Sequence, residues 1–313
     1  MATFTDAFRA WRRNAKAALP YVRRREHRIL QRKYNDVIDG LGWTAPPASQ
    51  ARLHALKPLA PELGAEVCFF VSHASAPQLK AHVKTHITHL LRAGLNVVLI
   101  LNTDLPPQSI VIDVDLLDKL GGAFVRENVG FDFAAWAHLF KLCEDKQRWT
   151  RLFLVNDSIV GPLNAQHFDQ MMDRARRSTA DVVGLTESQS PLRHVQSFFL
   201  VFNPSALHSS VLQRIFDRML SLPTKGQVID VYETRLTQVL TQHGLRCAAL
   251  FPPLSDDPHS SNDTSFRWAQ LIRAGFPYIK TSILDRFAGS AQLAAVVPAE
   301  FLPAQAGRAT SKP

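Results

Sequence analysis

The chain has 313 residues, 46% hydrophobic and 20% charged, the make-up of an ordinary globular protein of one large or two small domains. No apolar run reaches the ~20 residues that span a bilayer, and no apolar segment follows the first arginines as a secretory leader requires. Cys68, Cys143 and Cys247 lie in apolar segments without metal-ligand spacing, so they read as buried thiols in a reducing, cytoplasmic compartment.

The net charge of +9 is concentrated at one end. Residues 1–33 hold ten Lys/Arg and two acids, a net +8, which leaves +1 for the other 280 residues. This arm, residues 1–43, reads as two helical pieces broken at Pro20. Phe4, Phe8 and Trp11 share a face beside arginines. Such a helix suits an anionic inner-leaflet surface, at ~1 kcal/mol per basic residue. It suits docking on protein equally well. Nucleic acid is not expected, because no recognised binding motif accompanies the charge.

Residues 44–64 are rich in Ala and Pro and read as a linker. From Glu66 the pattern alternates between strand and helix. Residues 66–72 predict a continuous apolar strand. Residues 78–93 predict a helix with Leu79, Val83, Ile87, Leu90 and Leu91 on one face, closed by Gly94. Strands follow at 96–101, 123–126, 151–155, 181–185, 197–202 and 247–251. Helices are predicted at 131–145, 164–177, 207–220 and 232–243. Strands without polar alternation, separated by helices, imply an α/β fold with a mostly parallel sheet covered on both faces. The domain spans 65–287, and the Ala/Pro-rich tail, 288–313, reads as mobile.

Ligands of open α/β sheets bind beyond the carboxyl ends of the strands. Ser72 and His73 end the first strand and leave room for a ligand ring. Asn128, Gly130 and Asp132 follow the third, where the backbone turns into a helix whose free N–H groups suit an anion. Asp132 can instead cap its own helix. The fourth strand ends on Asn156-Asp157-Ser158. A carboxylate there needs a hydrogen bond, an ion pair or a cation. Mg²⁺ or Mn²⁺ bridging to phosphate would serve, and so would the Ile159–Gly161 turn. Glu233 opens a late helix, as a base for a hydroxyl or as an acid favoured by the helix dipole. His82 and His86 have a zinc-like i, i+4 spacing, but no further ligand lies near them in sequence.

The order of these features resembles the nucleotide-sugar half of GT-A glycosyltransferases, whose Asp-x-Asp motif stands where Asn156-Asp157-Ser158 stands here. Glu233, eleven residues before Gly244, matches the acid of inverting members. The phrases ENVGFDFAAW, LVNDSIVGPL, VVGLTES, HVQSFFLVF and GFPYIK resemble the rhamnan-synthesis F family over roughly residues 65–285. That resemblance implies a GT-A-like enzyme moving L-rhamnose from a deoxythymidine-diphosphate donor to a polysaccharide or lipid-linked glycan. Asp157 would hold the diphosphate, directly or through Mg²⁺ or Mn²⁺, and Glu233 would act as base. Glu187, Arg193, His194 and Gln196 would face the sugar or the acceptor. His259 is a further metal-ligand candidate. Phe131 stands where the family pattern has Arg, which leaves Lys280 or Arg193-His194 to supply the phosphate's cation. The rival readings are an inactive glycan- or nucleotide-sugar-binding module and another α/β enzyme. No Walker loop, Gly-x-Ser-x-Gly elbow or Gly-x-Gly-x-x-Gly turn supports the latter.

Overall fold

A computed structural model describes residues 45–255 and 262–302, together with residues 25, 28, 29 and 32, which are helical and exposed. The strands are β1 (Leu53–Lys57), β2 (Glu66–His73), β3 (Asn96–Thr103), β4 (Gly122–Glu127), β5 (Arg151–Asn156), β6 (Ile159–Val160), β7 (Val182–Gly184), β8 (Glu187–Ser188), β9 (His194–Val195), β10 (Phe199–Phe202), β11 (Cys247–Ala249) and β12 (Ile279–Lys280). The helices used below are α1 (Ala81–Arg92), α2 (Val114–Lys119), α3 (Phe131–Leu142), α4 (Ala165–Arg177), α5 (Pro204–Leu207), α6 (Ser210–Asp217), α7 (Lys225–Val228) and α8 (Thr234–Gln242). A π-helical turn, Ile229–Glu233, joins α7 to α8.

Eight strands form one sheet in the order β1-β4-β3-β2-β5-β10-β7-β11. The run β4-β3-β2-β5 is parallel throughout. The fold is thus α/β with a large, mostly parallel sheet, as the apolar strands predict, and its arrangement is GT-A-like. The period-2 geometry of a strand divides the core between the two faces. Val67, Phe69 and Val71 join the cluster of Trp136 and Phe140 from α3. Cys68 and Phe70 join Val83, Ile87 and Leu90 from α1 and Phe168 from α4. All three cysteines are free thiols, and burial raises the Cys68 thiol far above its ordinary range.

Chain order makes the site. From β2 the chain steps to β3 on one side, while β5 pairs on the other, so the sheet switches direction between β2 and β5. A crevice opens at such a point beyond the strand ends. Strand β10 then runs antiparallel between β5 and β7. Its start, at Ser197-Phe198, therefore lies at the same edge as the end of β5. Backbone N–H of Asn156 donates to the Phe198 carbonyl at 3.2 Å.

Two segments differ from their sequence reading. From residue 45 on, the stretch read as a linker is packed into the fold. Pro46 and Ala48 bond to Ser221 and Met219, and β1 pairs antiparallel with β4 as the edge of the sheet. An edge strand buries little, so its sequence lacks the apolar run that marks a central one. The tail is packed as far as Leu302, with Leu293 and Val297 buried in a third cluster with Trp268 and Ile283. Among the described residues no helix is long and apolar enough to cross a membrane. Most of residues 1–33, and with them the expected membrane contact, lie outside the described residues, as does His259.

Candidate active site

The first group of site residues gathers at the switch point. Asp157 Oδ2 accepts from Ser72 Oγ at 2.7 Å, from the His73 backbone N–H at 3.2 Å and from Lys80 Nζ at 2.8 Å. The β2–β5 register brings Ser72 and Asp157 together, and Lys80 is delivered as the N-cap residue of α1. Burial holds the nearby His82 imidazole below its ordinary pKa. The strand-end carboxylate is thus satisfied by an ion pair and two further donors.

One carboxylate oxygen of Asp157 already carries an ammonium and two hydrogen bonds, and the flanking Asn156 and Ser158 add no charge. Among the described residues no group of three or more His, Cys, Asp and Glu comes together. The cation on Asp157 is Lys80, with a side chain about one-third exposed. Lys80 stands eight residues beyond Ser72, where sequence offers no signal that it folds back.

The second group centres on two acids. Asn156 Nδ2 donates to Asp132 Oδ2 at 2.7 Å, and Asp132 Oδ1 accepts from Phe133 N–H at 3.0 Å. Asn156 Oδ1 in turn accepts from Ser158 Oγ at 2.6 Å. Asp132 therefore lies in the site and also bonds its own helix start. Burial, and then the charge of Glu233, push the Asp132 carboxyl up to about 6. Glu233 stands at the end of the π-helical turn, a rare distortion concentrated at functional sites. Its Oε1 accepts from Ser197 N–H at 3.2 Å, the one described donor to this carboxylate. Lys280 completes the group. Its ammonium lies 5.7 Å from the Phe198 ring centroid, and burial lowers its pKa. Pairing of β12 with β6 sets Lys280 opposite Ile159, next to Ser158.

The turn between β4 and α3 explains how Asp132 is aimed. Gly130 has φ +74°, and a Cβ there would meet Ala134 Cβ at 2.5 Å and Ser221 Cα at 2.6 Å. Only glycine meets both demands. Phe131 follows at φ 58°, a conformation costly for a bulky residue. Asn102 Nδ2 holds the Phe131 carbonyl at 3.0 Å. Arg126 is fully buried beneath this turn. It donates to the carbonyls of Val129 at 2.5 Å and Glu127 at 3.2 Å, and to the Ala48 carbonyl at 3.0 Å. Sequence reading passed over Arg126, since an Arg inside an apolar strand carries no sign of what it holds.

Other candidates lie apart. Asn128 Nδ2 bonds Asp104 at the surface at 2.9 Å. Glu187 and Arg193 pair with each other at 2.8 Å on the β8–β9 hairpin. His194 is buried, with Nδ1 2.7 Å from the Leu192 carbonyl. Gln196 is buried between Thr186 and Thr264. It adjoins Ser197, and so reaches Glu233 only through the backbone. His86 is no ligand either. It is fully buried, its Nε2 lies 2.9 Å from the Tyr278 hydroxyl, and burial lowers its pKa to about 3.

A GT-A-like α/β sheet with acids and a lysine gathered at its switch point defines the class. A family model for rhamnan synthesis protein F matches residues 97–301. The chain belongs to this family, which ties it to polysaccharide biosynthesis. It is also similar to two curated proteins, each called virulence protein VirA, from Vibrio anguillarum, one of them from strain ATCC 68554 / 775. Each is 27% identical over 212 residues, covering 58% of this chain and 67% of the relative.

Proposed function

We propose that the protein is an inverting glycosyltransferase that moves a sugar, L-rhamnose by family membership, from a nucleoside diphosphate to a glycan or lipid-linked glycan hydroxyl. The observation that carries this reading is the meeting, at one sheet edge, of a lysine-bearing strand end with a pair of carboxylates. The diphosphate lies at the N-terminus of α1, where free N–H groups and Lys80 take its charge. Asp157 and Ser72 orient Lys80. The acceptor hydroxyl oxygen attacks the anomeric carbon from the side of Asp132 and Glu233. The bond from that carbon to the diphosphate oxygen breaks, and its electron pair leaves with the nucleoside diphosphate. Glu233 takes the hydroxyl proton, and the configuration at carbon inverts. Asp132, its own carboxyl pushed up to about 6 by burial and by the Glu233 charge, stands beside the base.

Glu233→Gln is expected to bind deoxythymidine diphosphate rhamnose as the parent does and to lose at least ~100-fold in turnover, the usual share of a general base. Calorimetry and release of the nucleoside diphosphate measure the two. Unchanged turnover removes Glu233 as base. Donor binding without turnover in the parent protein makes the chain a binding module.

Residues 1–33 hold the enzyme on the anionic leaflet where a lipid-linked acceptor would reside. The full chain is expected to sediment with vesicles of anionic lipid in low salt, and the chain starting at residue 34 is expected to stay in solution. Equal sedimentation of the two rejects the arm as anchor.

A further inference from the structure

We propose that Lys280 is a second phosphate-binding group of the crevice, the one that receives the negative charge of the departing nucleoside diphosphate. The inference deepens the transferase reading and rests on it.

The strand pattern aims this side chain. Ile279 and Lys280 are successive residues of β12, so their side chains leave opposite faces. Ile279 is buried with Val160 and Ile283 in the third apolar cluster. Lys280 therefore points away from that cluster and into the crevice. Thr281 pins the position, with its N–H and Oγ1 both donating to the Ser158 carbonyl, at 2.9 and 3.3 Å. Lys280 thus sits beside the Asn156-Asp157-Ser158 triplet, with its ammonium over the Phe198 ring. Phe198 follows Ser197, whose N–H donates to Glu233.

Among the described residues the Lys280 ammonium has no hydrogen-bond or ion-pair partner. The acid whose charge reaches it is Glu233, and the like charge of Lys225, exposed at the start of α7, opposes that attraction. Burial strips water from the ammonium, and a phenyl face returns only part of the loss. Lys80 differs, because it gives its charge to Asp157 at 2.8 Å. A phosphate oxygen is the partner whose charge and acceptor capacity Lys280 matches.

In an inverting transfer the base and the leaving oxygen stand on opposite sides of one carbon atom. A cation within electrostatic reach of Glu233 is therefore also within reach of the leaving oxygen. Lys80 then holds the phosphate nearer the nucleoside, at the start of α1. As the carbon–oxygen bond breaks, its electron pair stays on the diphosphate. Lys280 donates a hydrogen bond to the oxygen that gains the charge and keeps its own proton.

Calorimetry with deoxythymidine diphosphate and deoxythymidine monophosphate, on the full chain and its variants, tests this assignment. The parent is expected to prefer the diphosphate. Lys280→Met is expected to bind the monophosphate as the parent does and the diphosphate ~10–100-fold more weakly, the share of one charge-assisted hydrogen bond. Lys280→Arg is expected to restore the preference. A preference unchanged in Lys280→Met overturns the inference and leaves the transferase reading standing. Failure of the parent to bind either nucleotide overturns both. Ligand-free Lys280→Met is expected to melt no lower than the parent, because the fold gives this ammonium no partner to lose. A lower melting temperature marks Lys280 as a structural residue and overturns the inference as well.

Discussion

Asp157 and Asp132 reach the same sheet edge with opposite company. Asp157 has an ammonium at 2.8 Å and two further donors on one oxygen. Asp132 has Asn156 and a backbone N–H, and the charge that acts on it is the like charge of Glu233. Asp157 follows β5 and Asp132 lies in the first turn of α3, yet one has its charge compensated and the other is pushed toward holding a proton. The difference separates an acid paired with a cation from one that faces another acid.

Substitutions can break this comparison, and the turnover lost in Glu233→Gln is the largest effect expected. Lys80→Met comes next. It removes the compensating charge at Asp157 and is expected to weaken donor binding ~10–100-fold, in line with loss of a charge-assisted contact. It is also expected to cost about 1–2 kcal/mol of stability, between the values for exposed and buried pairs. Donor titration and denaturant melts measure both. Unchanged affinity would leave Lys80 a structural partner of Asp157 alone.

Asp132→Asn sharpens the other half through pH. Below about pH 4 the Asp132 carboxyl is protonated in both folded and unfolded chains and costs nothing. Above its ordinary 3.8 the unfolded chain ionises first, while the folded chain keeps its proton until about 6. Stability from this group therefore falls as pH rises from about 4 to about 6, by up to roughly 3 kcal/mol. His86 has the opposite slope. It is neutral in the fold down to about 3 but charges in the unfolded chain below 6.5, so its contribution rises with pH. The difference between parent and Asp132→Asn isolates the first slope. The variant is expected to gain on the parent between pH 4 and 6, and parallel curves would remove the raised carboxyl from the account.

Much of the fold was legible along the chain. Uninterrupted apolar strands such as residues 96–101 can survive only with both faces covered, and the i, i+4, i+7 run of Val83, Ile87 and Leu90 could face only one way. β1 was lost because an edge strand needs no apolar run. The ends of β2, β4 and β5 were found because each apolar run stops on polar residues. Lys80 and Arg126 went unread, one lying after a Pro-containing loop and the other looking like a strand residue that happens to be charged.

Sequence alone singled out Asp157 at a strand end, the acids Asp132 and Glu233 and the arm's charge, but not that Glu233 lies within a helical run that starts at Lys225. Tertiary structure alone decided what each acid faces. The β2–β5 switch placed Lys80 on Asp157, and the antiparallel entry of β10 set Ser197 on Glu233. A carboxylate's chemistry depends on charges and donors within a few ångströms. Here Lys80 lies 77 positions from Asp157, Asn156 lies 24 from Asp132 and Ser197 lies 36 from Glu233, separations that no local pattern encodes.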